Sequence, residues 1–151
     1  MELKLAPPNY LVFLSTVTAW FTAQTVKVII GVIKEKRFNF KWFVGTGGMP
    51  SSHSAAVSGM ATAMGLHYGV ESPFFALAFL FAIVVIADAQ GVRRSSGKQA
   101  EILNRILDDI YWKKKIQEDR LKELLGHTPI QIIAGIAIGI GVVFLFYLKY
   151  L

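Results

Sequence analysis

The sequence predicts an all-α fold: an integral membrane helical bundle of about four transmembrane helices, with one amphipathic helix at the membrane interface. Three observations carry this. Hydrophobic residues make up 54% of the 151-residue chain, and the mean hydropathy is +0.48. Charged residues make up 17%, against about 25% in an average soluble chain. The apolar residues also stand in long runs, which is the pattern of membrane spans and not of half-buried strands. A single membrane-embedded domain over residues 1–151 is expected.

The first run, Tyr10 to Ile33, is long enough to cross a hydrocarbon core of ~30 Å at ~1.5 Å per residue. It contains Gln24 and Lys27. A basic loop, Lys34 to Lys41, and a glycine-rich turn, Gly45 to Gly48, follow. The second run, Pro50 to about Gly69, is dense in Ala, Ser, Gly and Met. Small residues let helix backbones approach closely, so this run reads as an inner helix packed on all sides. After a short turn at Glu71-Ser72, the third run extends from Pro73 to Ala87 and ends at Asp88. Its Phe, Leu, Ile and Val content suits lipid, and Pro73 suits a first helical turn.

Residues 89–126 are polar. Within them Ala100, Leu103, Ile106, Leu107 and Ile110 recur at helical spacing, with Glu101 and Arg105 as an i,i+4 pair. An amphipathic surface helix over 98–110 is the reading, followed by a solvated charged stretch from Tyr111 to Lys122. The last run, Thr128 to Leu148, carries Gly135, Gly139 and Gly141 as a close-packing face.

Four spans put both termini on one side of the membrane. The loops at 34–48 and 88–127 then share the other side, and they hold 13 of the 16 Lys and Arg residues. That side is expected to be cytoplasmic, in the plasma membrane of a prokaryote. The net charge of +6 is read as this asymmetry and not as nucleic-acid binding. The absence of cysteine excludes disulfides and thiolate metal sites. The N-terminus lacks the basic and short apolar regions of a cleaved signal peptide, so none is expected.

The polar residues that need explaining gather on the loop-rich side. Lys27 lies inside a span, where a charge is costly; it either serves a function or snorkels to the nearby interface. Gly47-Gly48-Met49-Pro50-Ser51-Ser52-His53-Ser54 leads a flexible turn into a helix. A helix start offers unpaired N–H groups and the positive end of the dipole, and binds phosphate readily. A plain serine N-cap beside a bystander histidine is the alternative. Arg93 and Arg94 follow the third run and present planar forks suited to phosphate; a positive-inside anchor paired to Asp88 is the alternative. His127 opens the last run. His67 lies at the far end of the second run, with no role expected in this site. Together these residues suit phosphoryl transfer: one histidine can attack phosphorus and the other can protonate the leaving oxygen. No acidic cluster suggests a metal, and no cofactor is expected.

Met-Pro-Ser-Ser-His-Ser at 49–54 resembles the Pro-Ser-Gly-His motif of the type 2 phosphatidic acid phosphatases, which are related to the vanadium haloperoxidases. Gly-His-Thr-Pro-Ile-Gln-Ile-Ile-Ala-Gly at 126–135 resembles that family's last motif, and Asp-Ala-Gln-Gly-Val-Arg-Arg at 88–94 is similar to its compact divergent branch. The resemblance covers about residues 20–140. It implies an all-helical bundle that acts on lipid phosphates or pyrophosphates. It also implies His127 as nucleophile, His53 as general acid, and Ser51, Ser52, Lys27 and Arg93 or Arg94 as phosphate ligands.

Three departures accompany it. Lys34 stands where the first motif has its arginine, with Arg37 as a substitute. More than thirty residues separate Arg94 from His127, where the family has about six. Gln131 replaces the aspartate that orients and charges the nucleophilic histidine, and Asp88 is the one candidate to supply that charge from elsewhere. The expectation is a membrane lipid-phosphate phosphatase working through a phosphohistidine, with the bilayer and a phospholipid or polyprenyl phosphate as partners and homo-oligomers left open. The alternatives are a binding or scaffold protein that keeps the pocket without turnover, and, more weakly, a transporter of anionic lipid.

Overall fold

Each apolar run forms one α-helix. The computed structural model describes residues 7–38, 48–90, 99, 102–104, 106 and 127–151. Helix α1 spans Tyr10–Glu35, α2 Ser52–Tyr68, α3 Pro73–Gln90 and α4 Pro129–Tyr147. No strand occurs among the described residues. Two ends lie beyond the apolar runs. Lys34 and Glu35 continue α1, which closes at Lys36 in the left-handed region (φ 50°) with its N–H on the Val32 carbonyl. Helix α3 runs through Asp88 to Gln90.

Helices α1, α3 and α4 are long and apolar enough to cross a membrane. Helix α2 has 17 residues, about 25 Å of helix, and its Ala, Ser and Gly content makes it the least apolar of the four. Three spans are therefore supported by length and composition, and the fourth in the expected count rests on α2.

Helix α2 sits at the centre and packs against the other three, while α1 also meets α4 and α3 barely touches α4. The small residues explain the arrangement. Ser52, Ser54, Ala55, Val57, Ser58, Gly59, Ala61 and Ala63 of α2 are all buried. The buried residues of α3 are alanines (Ala78, Ala82 and Ala89), Phe75, Val85 and Ile86 pack partly against α2, and most of its other large apolar side chains are exposed. The inner assignment of α2 holds, and α3 exposes the apolar face expected to meet lipid.

Two glycines set the α2–α4 distance. A β-carbon at Gly135 would collide with the Ser51 carbonyl and the Ser54 side chain. One at Gly139 would meet Ser58 Oγ, the Ala55 carbonyl and the Gly59 nitrogen. At that separation Ser58 Oγ, which donates to the Ser54 carbonyl of its own helix at 2.7 Å, also comes within 3.4 Å of the Ile136 carbonyl across the helix pair. In lipid, such close van der Waals packing replaces the hydrophobic drive that water provides.

Polar links tie both ends of the bundle. At the end that holds both termini, His67 meets the Tyr147 hydroxyl at 3.1 Å through Nδ1 and Asn9 Oδ1 at 2.9 Å through Nε2. This clasp joins the start of α1 to the ends of α2 and α4, and the Tyr147 ring is 1% exposed. His67 therefore lies at the opposite end from the candidate site, as expected. The amphipathic helix expected over 98–110 and the charged stretch at 111–122 lie largely outside the described residues. The described part is helical, with Ile102, Leu103 and Ile106 exposed and Asn104 buried.

Candidate functional site

The site is assembled from the end of α1, the start of α2, the end of α3 and the start of α4. Lys27 comes first, because its surroundings are the least ordinary. It is 6% exposed, two turns inside the end of α1. Its Nζ donates to Gln24 Oε1 at 3.0 Å and to Ser52 Oγ at 3.3 Å. Both acceptors are neutral, and no carboxylate among the described residues reaches it. The described ion pair, Arg37 with Glu35 at 3.0 Å, is on the exposed surface. Snorkelling is therefore not what Lys27 does: the side chain turns inward and touches α2. Gln24 was legible in sequence only as a polar residue three positions earlier on the same face; its contact with Lys27 follows from helix geometry.

Ser51 caps α2. Its hydroxyl accepts the Ser54 N–H at 3.3 Å and the Ser54 hydroxyl at 3.0 Å. A hydroxyl that accepts twice keeps its own hydrogen to donate. The Ser51 N–H is committed elsewhere, to the Gln131 carbonyl at 2.9 Å. That bond fixes the start of α2 to the first turn of α4. Ser51, Ser52 and Ser54 are buried, and His53 is half-buried with its Nδ1 inside the bundle. The serine-histidine run is thus an N-cap, as the plain reading held, and it also touches the buried lysine.

His127 precedes the α4 N-cap, Thr128, and is 4% exposed. Thr128 and Gln131 form a capping box. Thr128 Oγ1 accepts the Gln131 N–H at 3.4 Å, and Gln131 Oε1 accepts the Thr128 N–H at 3.0 Å. The same Gln131 Oε1 lies 3.1 Å from His127 Nδ1. An amide oxygen can only accept, so Nδ1 carries a proton, and in the neutral imidazole Nε2 holds the lone pair. Gln131 therefore sets the imidazole tautomer that an aspartate would set, without supplying its charge.

The fold returns His127 to the end of α3. The His127 N–H donates to the Ala89 carbonyl at 3.1 Å, which joins the start of α4 to the end of α3. Asp88 is exposed, so this link runs through backbone and not through the carboxylate. Asp88 is not brought to the histidine as a charge partner. Arg93 and Arg94 lie outside the described residues, four and five positions after Ala89 in the chain. Lys34 and Arg37 are exposed at the end of α1, with Arg37 held by Glu35.

The rings of His53 and His127 are 6.2 Å apart between centroids and inclined at 52°. Rings at that spacing can both contact one small anion. Beside them a groove of about 530 Å³ opens between α1 and α4, with Lys27, Lys34, Thr128 and Gln131 on its surface. Neither histidine lines the groove; of its lining residues Gln131 touches His127, and Lys27 touches Ser52, the chain neighbour of His53. Chemically, the end of the bundle offers a buried cation, a serine-capped helix start and two nearby imidazoles, one of fixed tautomer. The described residues hold no His, Cys, Asp and Glu group of metal-site size.

The chain is 38% identical to an uncharacterized membrane protein, YuiD, of Bacillus subtilis (strain 168), over 138 residues that cover 84% of this chain and 87% of the relative. No solved structure matches it. Residues 9–142 match the Divergent PAP2 family, a match that takes in Lys27, the capped start of α2 and the histidine that opens α4; the chain is a membrane protein of that family.

Proposed function

We propose that the protein binds the phosphate of a membrane lipid, a phospholipid or polyprenyl phosphate or pyrophosphate, and hydrolyses it through a phosphohistidine on His127. The observation that carries this reading is Lys27. It is buried within a span, its partners among the described residues are the neutral oxygens of Gln24 and Ser52, and a bound anion would offset its charge. The start of α2 supplies further donors toward the same place.

In this reading His127 Nε2 attacks phosphorus. The P–O bond to the lipid breaks, and the leaving oxygen takes a proton from His53. Water, deprotonated by His53, then attacks the phosphohistidine; the P–N bond breaks and inorganic phosphate leaves. Lys27, the Ser51 hydroxyl and the first N–H groups of α2 hold the phosphoryl oxygens as charge builds on them. Arg93 or Arg94 joins them from the segment after α3. With α2 counted as a fourth span, the site lies on the side holding most Lys and Arg residues, the cytoplasmic face by charge asymmetry.

A second reading has its own observation. Gln131 cannot balance the imidazolium, so a pocket that binds lipid phosphate without turnover is the alternative. Phosphate release by purified protein from a panel of lipid phosphates separates them. Release that disappears in His127→Ala supports the enzyme. Tight binding without release, unchanged in His127→Ala and lost in Lys27→Ala, supports the binder. Neither release nor binding would remove both.

A further inference from the structure

The geometry points to the groove between α1 and α4 as the seat of the ligand's apolar chain, so that the ligand reaches the site sideways from the bilayer. This rests on the phosphate-binding reading above and adds where the rest of the molecule lies. One wall is a single face of α1. Lys27, Ile30, Gly31 and Lys34 line the groove and stand at i, i+3, i+4 and i+7, the spacing of one helical stripe. The facing wall is the start of α4, with Ile130 beside Gln131, and Met49 approaches from before α2.

The groove is graded in polarity. Lys27, buried against Ser52, and Gln131, bonded to His127, form its polar side. Ile30, Met49 and Ile130 line the rest, with Ile130 67% and Met49 40% exposed to the surroundings of the bundle. Gly31 presents no side chain and widens the passage. Lys34, two turns beyond Lys27 on the same face, adds a second cation at the exposed end of α1, beside Glu35, whose carboxylate is paired with Arg37. A free phosphate ion needs the two lysines and none of the apolar wall. An amphiphile with an anionic head uses both, and the volume of about 530 Å³ is that of an ordinary small-ligand pocket, enough for the head and the first part of a chain. A second groove, of about 290 Å³ between α2, α3 and α4, has Phe79, Ile83 and Ile140 on its surface and no charged residue, so it offers a head group nothing.

The chain contains no cysteine, so one introduced thiol reports one place. Ile130→Cys would report the α1–α4 groove and Ile83→Cys the other. Both are exposed positions. Each variant is alkylated with a neutral maleimide in detergent, alone, with dioleoyl phosphatidic acid, or with inorganic phosphate, and bound phosphatidic acid is measured on the same samples. The proposal expects phosphatidic acid to slow alkylation at Ile130→Cys about tenfold when present at ten times its dissociation constant. Ile83→Cys should be unaffected, and inorganic phosphate should protect neither. Bound phosphatidic acid without protection at Ile130→Cys overturns the groove and leaves the phosphate reading standing. Equal protection by inorganic phosphate overturns the amphiphile. Binding of neither probe overturns both readings.

Discussion

Replacing Gln131 by glutamate tests the chemistry at its weakest point. Gln131 Oε1 is 3.1 Å from His127 Nδ1 and 3.0 Å from the Thr128 nitrogen. Glutamate has the same reach and is equally accepted in a capping box, so both hydrogen bonds survive. What changes is one full negative charge beside an imidazole that becomes cationic when it is phosphorylated. With charge centres about 4 Å apart, the attraction is ~4 kcal/mol at an effective dielectric of ~20 and ~1 kcal/mol in water. Gln131 is half-buried, so the gain falls between these limits. At ~1.4 kcal/mol per decade, turnover should rise roughly 10- to 10³-fold. The assay is steady-state phosphate release from dioleoyl phosphatidic acid in detergent micelles. Wild type, Gln131→Glu and the double variant with His127→Ala are compared at matched thermal stability. Gln131→Asp, shorter by one methylene, should gain less. An unchanged or lower rate in a folded Gln131→Glu would refute the view that His127 lacks only a counter-charge.

Other substitutions separate binding from stability. Lys27→Met should abolish lipid-phosphate binding yet raise the melting temperature by a few degrees, because an apolar side chain of similar length replaces a buried cation with neutral partners; a fall in melting temperature would contradict this. Gly139→Leu must push α2 from α4 and should destabilise the protein by about 3 kcal/mol or more, read by thermal unfolding in detergent. Tyr147→Phe removes the hydroxyl from the far clasp and should cost about 1 kcal/mol without changing phosphate release, since it lies at the other end of the bundle. Thr128→Ala should lower stability by about 1 kcal/mol and also slow release, because the same cap holds Gln131 against the histidine.

The elements were legible because each apolar run is long and cleanly bounded. Proline opens α3 and α4, and the serine and threonine caps of α2 and α4 stand where the runs begin. The inner position of α2 was legible too, since only small residues allow contact on several sides. The continuation of α3 through Asp88 was not, because a charged residue after an apolar run reads as its end even when the backbone stays helical. Within the site, Lys27 was visible as a charge inside an apolar run, and His53 and His127 as histidines at the starts of two runs. The means of their convergence was invisible. Ser51 to Gln131 and His127 to Ala89 are backbone bonds, and backbone groups leave no residue-type signal. Gln131 looked like a loss relative to the family pattern; only the capping box reveals that its oxygen serves two donors at once.

Helix α2 also acts as a gauge. Its first residues, Ser52 and His53, belong to the site, and His67, near its last turn, belongs to the far clasp. Each residue turns an α-helix by about 100° and advances it ~1.5 Å. One residue inserted or deleted between His53 and His67 would swing one end away from its partners, whichever end kept its register. Helix α3, packed mainly on α2 and open to lipid elsewhere, has no such double attachment. The distance between the two ends of the molecule is therefore written into the residue count of α2, and changes in chain length should collect in the segments outside it.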